Sequence, residues 1–155
     1  MTEETATIPT TDMDILAQRY KTARLEAILF ADFGSIGRDG KATLAGIFER
    51  LYVDPKRRTT GKFFIYVKVA EAVEAPVEIT ITDPDGHLVA TGTGGASEVQ
   101  DVANKPLPRG LTLLVPFVLE LSAEAKAGLY WFEVLYKGRS LGGTALVIEF
   151  REEKD

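Results

Sequence analysis

The run Gly128-Leu-Tyr-Trp-Phe-Glu-Val-Leu-Tyr-Lys-Gly138 constrains the fold more than any other part of the chain. Tyr130, Phe132, Val134 and Tyr136 recur at every second position, so an extended strand places all four on one face. Gly128 opens the strand and Lys137-Gly138 turns it. The apolar run from Thr144 to Phe150 then follows as a hairpin partner. Two adjacent strands of this kind need a second layer to bury their apolar face, which points to an antiparallel sandwich.

Period-two patterning continues through the body. Leu25, Ala27, Leu29 and Ala31 alternate with Glu26, Ile28, Phe30 and Asp32. The turn Arg38-Asp39-Gly40-Lys41 leads into a long strand expected from Ala42 to about Val53, because Asp-Gly is a strong hairpin signal. After the polar loop 54–61, Lys62 to Ala70 is strongly β-prone, and Val77, Ile79 and Ile81 alternate with Glu78, Thr80 and Thr82. Asp83-Pro84-Asp85-Gly86 turns into a short strand from His87 to Thr91. A long loop, Gly92 to Gly110, precedes the last new strand, Leu111 to Leu121. Pro116 lies mid-run there, so that strand is expected at an edge or bulged.

The expected fold is therefore all-β: an Ig-like antiparallel β-sandwich of about seven to eight strands with a short N-terminal helix. The helix is read over 12–24, where Met13, Leu16 and Tyr20 fall at helical spacing behind Thr11 or Asp12 as N-cap. Residues 1–11 are expected as a disordered tail, 25–150 as the sandwich and 151–155 as a charged tail. Tyr130, near the start of the penultimate strand, has the placement of a tyrosine corner; an ordinary buried tyrosine is the alternative.

Ala31-Asp32-Phe33, Gly40-Lys41 and Gly46-Ile47-Phe48-Glu49-Arg50-Leu51 together resemble the opening of a bacterial domain-of-unknown-function family. The pieces Asp83-Pro-Asp-Gly86 and Gly128-x-Tyr130-x-Phe132-Glu-Val134 resemble it too. The resemblance implies a small β-sandwich without assigned activity and carries no catalytic residues.

Composition excludes several chemistries. A net charge of −5 and a pI near 5.0 argue against a nucleic-acid backbone as partner. The absence of cysteine removes disulfides and thiolate metal centres. No signal-peptide pattern and no apolar run of membrane-spanning length is visible, so a cytoplasmic location without membrane association is expected. The single histidine, His87, follows a turn, and Ser35, Ser97, Ser122 and Ser140 lie in no Gly-x-Ser-x-Gly context. Gly92-Thr-Gly94-Gly95-Ala-Ser97 lacks the Gly-Lys-Ser/Thr ending of a phosphate loop. Lys56, Arg57, Arg58 and Lys62 read as a solvated loop. No enzyme and no cofactor are expected.

Apolar residues on both faces of two strands are the remaining signal. Phe64 and Tyr66 on one, with Leu129, Trp131 and Leu135 on the other, are expected to form one outer patch, the two strands being neighbours in an Ig-like order. Such a patch is either covered by the N-terminal helix or used by a partner, and a homo-oligomer or another protein is the expected partner. The leading function is a non-catalytic interaction or assembly module. The alternative is a ligand- or calcium-binding sandwich whose end loops supply Asp32, Asp83 and Asp85.

Overall fold

The computed structural model describes residues 23–72, 76–94 and 109–152. Within them the strands are β1 Arg24–Ile36, β2 Ala42–Phe48, β3 Arg50–Val53, β4 Phe63–Ala72, β5 Val77–Thr82, β6 Leu88–Gly94, β7 Arg109–Phe117, β8 Gly128–Tyr136 and β9 Arg139–Phe150. They form two sheets, ordered β2-β1-β4-β7 and β3-β9-β8-β5-β6. The chain is an all-β sandwich, as its alternation requires. The core lies between the sheets. Tyr130, Phe132, Val134 and Tyr136 are all buried, as are Val77, Ile79 and Ile81, and β8 and β9 form the expected hairpin.

Strand count and direction differ from the expectation at one place. The run Ala42–Val53 is two strands, because the chain leaves the first sheet at Glu49 and enters the second. Gly46, at φ 70°, relieves the backbone just before the crossing. Beyond it β3 runs parallel to β9, and Val147 N–H donates to the Glu49 carbonyl at 3.0 Å. Both halves are anchored by apolar burial: Phe48 packs on the core, and Val53 is fully buried in the other layer. The sandwich thus has nine strands among the described residues, with this one parallel pair.

A second irregularity shifts one face of β1. Pairing with β4 skips Glu26, between Leu25 and Ala27, and this bulge reverses the alternation. Leu25 therefore joins Ile28 and Phe30 against the core, while Leu29 turns outward. Proline does what a proline must in β7. Among the described residues that strand is an edge, pairing only with β4, where Pro116 faces Phe64.

The basic loop is tied down instead of solvated throughout. Arg58, at φ 57°, donates from Nε to the Ser122 carbonyl (2.9 Å) and from Nη2 to the Ala125 carbonyl (2.7 Å), and its guanidinium lies over the Phe150 ring. Thr60 pairs with Leu119 in both directions, which fixes the buried Leu119 after β7 has ended.

The expected helix falls on residues of which 12–22 lie outside the described residues; Arg24 is the first residue of β1. Most of the expected Gly92–Gly110 loop, residues 95–108, also lies outside them, between the end of β6 and the start of β7.

Candidate interaction surfaces

Strand pairing divides the expected outer patch in two. β4 pairs with β1 and β7, whereas β8 pairs with β5 and β9 in the other sheet. Phe64 and Tyr66 consequently lie on one outer face of the sandwich, and Leu129, Trp131 and Leu135 on the opposite one. Period two identifies which residues share a strand face. It carries no information about which strands lie side by side, and that is where the expectation failed.

The face bearing Phe64 is partly covered by its own sheet. The Phe33 and Phe64 rings meet edge to face with centroids 6.2 Å apart. β4 separates β1 from β7 in the sheet, yet the Leu114 side chain of β7 lies 2.8 Å from where a Gly34 Cβ would stand, beside Leu44 of β2. The far end of the β1–β2 hairpin therefore curls back toward β7. Phe64, Tyr66 and Leu114 are left half-buried.

The face bearing Trp131 is more open. Leu129 is 59% exposed and Trp131 42% exposed. Register places Val147 and Ala145 beside them on β9, and Thr82 beside Trp131 on β5. Thr82 in turn faces Leu88 of β6, which is 62% exposed. Leu88, Trp131 and Leu129 thus share one outer face, with Thr82 of β5 between Leu88 and Trp131. The sequence signal for Leu88 was its position at the head of an uncharged edge strand. Glu133 borders this surface: its carboxylate accepts from Trp131 Nε1 and from the Ser140 hydroxyl. Leu135 is half-buried beyond it.

The end-loop carboxylates are organised by the turn itself. Asp83 Oδ1 accepts from Asp85 N–H (2.9 Å) and His87 N–H (2.8 Å), and Asp85 Oδ2 lies 3.4 Å from Lys126 Nζ. Asp83, Asp85 and His87 each bring a ligand-type atom within 4.8 Å of the others. Asp32 is not among them; it lies along β1 in the other sheet, against Gly46. One turn offers fewer oxygens than the six to eight calcium prefers.

The backbone N–H of His87, above all, holds the Asp83 carboxyl below the ordinary aspartate range, with smaller help from Asp85 N–H and the His87 imidazole. A carboxylate whose folded pKa is depressed stabilises the fold above the unfolded pKa, near 4, and loses that contribution as pH falls through the lower folded value. Asp83→Asn keeps an acceptor and removes the charge. Its urea midpoint is expected to approach that of the parent at pH 3 and to lie below it at pH 7. An equal gap at both pH values would refute this.

Tyr130 has tyrosine-corner geometry, its hydroxyl donating to the Lys126 carbonyl at 2.8 Å. Burial, aided by the Asp83 charge, pushes its phenol up, so it remains a neutral donor at physiological pH.

No family model and no curated protein matches the chain. Among solved structures it is similar to an immunoglobulin-like protein from Pseudomonas aeruginosa, at 12% identity and a TM-score of 0.40, over 82% of this chain and 96% of that one. It is also similar to the C-terminal domain of Wzt, at 14% identity and a TM-score of 0.43, over 86% of this chain and 75% of that one. Strand order and register define the fold. The class so defined is an Ig-like β-sandwich module. No helix among the described residues is long and apolar enough to cross a membrane.

Proposed function

We propose that the protein is a non-catalytic assembly module that associates with further copies of itself through the outer face of β8 and its neighbours. The observation that carries this reading is the exposure of Leu88, Leu129 and Trp131 on one outer face of the sandwich. A flat apolar face rimmed by polar groups is what protein interfaces use. The acidic net charge and the resemblance to a bacterial family of small sandwich domains fit a cytoplasmic role of this kind.

Light scattering tests it directly. The full chain is expected to have the mass of an oligomer at tens of micromolar, and Leu129→Asp to return it to a single chain that still unfolds cooperatively, at a lower melting temperature because the association is lost. Because Trp131 is the only tryptophan, its fluorescence should shift to the red on that dissociation. A single-chain mass at every concentration would remove self-assembly.

A second reading has one observation in its favour, the closeness of Asp83, Asp85 and His87. A cation bound only by the folded state must raise the melting temperature at saturation. An unchanged melting curve in millimolar calcium would exclude calcium there.

A further inference from the structure

The crossing at Glu49 opens the sandwich between its sheets. β3 pairs with β9 only over Val147–Phe150, and β2 with β1 only over Phe30–Ile36. At the gap lies an apolar cavity of about 140 Å³, lined by Ile28, Phe30 and Phe48 of the first sheet, by Glu49 at the crossing, and by Thr144 and Ala145 of β9.

Register gives the two β9 residues different parts in this wall. Thr144 pairs with the buried Phe132, so its side chain stands on the inner face, where the Phe132 and Phe30 rings meet. Ala145 pairs with the exposed Trp131, so its methyl stands on the outer face and its main chain borders the cavity. Main-chain polar groups along a strand point alternately to its two neighbours. Val147 N–H points to the β3 side, where it donates to the Glu49 carbonyl at 3.0 Å. Two residues earlier, Ala145 presents its N–H and C=O in the same direction, and among the described residues no strand takes them up.

Size and chemistry then select an occupant. A cavity of about 150 Å³ lined by aliphatic and aromatic side chains holds a benzene ring. Water suits such a wall poorly, because each buried molecule needs about 2–4 polar partners. An N–H and a C=O presented side by side call for a group that both accepts and donates, as an amide does. Glu49, exposed at the rim, and a net charge of −5 oppose an anion.

We propose that this cavity binds a small neutral amide. Its hydrocarbon group, the size of one six-membered ring, lies among Ile28, Phe30 and Phe48, and its amide bonds the main chain of Ala145. An apolar pocket that orients its ligand through a few placed polar groups is the usual form of a small-molecule site.

Benzamide, toluene and benzoate, added to the full chain and followed by backbone amide chemical shifts, test this. Benzamide is expected to shift Thr144 and Ala145 with millimolar affinity, the strength that so few atoms allow. At equal concentration toluene, which lacks the amide, and benzoate, whose charge is costly to desolvate, should occupy the site roughly tenfold less. Thr144→Leu puts a larger side chain into the cavity and should abolish the benzamide shifts in a chain that still melts cooperatively. Thr144→Val, close to threonine in shape, should retain them. Ala145→Pro removes the N–H at an edge where proline is tolerated, and should weaken benzamide to the level of toluene. Absence of benzamide shifts at Thr144 and Ala145, their persistence in Thr144→Leu, or equal occupancy by toluene and benzamide would each overturn the proposal. The oligomer mass does not report on this cavity, so the result stands apart from that of light scattering.

Discussion

Phe30→Ala is expected to cost about 3–5 kcal/mol of stability, the range for removing a buried phenylalanine. Phe30 is buried where the aromatic residues of the two sheets meet. Its ring stands edge-on to Phe132 of the opposite sheet with centroids 4.7 Å apart, and packs on Phe48 and Phe63 of its own. Phe63 continues the contact to Phe117 on β7. Truncation leaves a void between two rigid layers, and neither can collapse into it without losing its own register. The melting temperature should fall by roughly 6–20 °C for a domain of this size. Phe30→Leu, which refills most of the volume, should recover more than half of the loss. A cost below about 1 kcal/mol for the alanine variant would mean that the aromatic cluster does not join the sheets as described.

Gly143→Ala should be nearly as damaging, although it adds a single methyl group. A Cβ at Gly143 would stand 2.0 Å from the Phe132 carbonyl oxygen and 3.0 Å from the Glu133 Cα. Both are backbone atoms of β8, so no rotamer change can give way; the two central strands of the second sheet must move apart. Overpacking of this type costs about 1–3 kcal/mol and more where backbone must shift, so about 3 kcal/mol is expected from chemical denaturation. Gly61→Ala is the matched control. Nothing lies within 4 Å of a Cβ there, and its backbone is not left-handed, so that variant should melt with the parent. Equal stability of the two variants would contradict the close approach of β8 and β9.

The strands and turns of this fold were largely legible in the sequence, because their causes are local. The buried face of β8 follows from four residues at period two, the Asp83 turn from Asp-Pro-Asp-Gly, and an edge or a bulge in β7 from Pro116, of which the structure shows the edge. Three features were not, and each depends on distant residues. The bulge at Glu26 is set by pairing with β4. The change of sheet at Glu49 is set by β9, and the separation of β4 from β8 by the whole strand order. The candidate surface was legible to the same degree. Leu129 and Trp131 could be recognised as outward from their own strand, while Leu88 joins them only through the register of β5 with β6.

The crossing at Glu49 also sets an order of events during synthesis. Arg50 of β3 and its partner Glu149 of β9 are ninety-nine residues apart in the chain, and their side chains form an ion pair. While the ribosome is still making the second half, β1 and β2 can already form their hairpin, but β3 has no strand to join. Pairings this remote slow folding, because the intervening chain must be ordered before they are rewarded. β3 can therefore take its place in the second sheet only once β9 has been made, about ninety residues later.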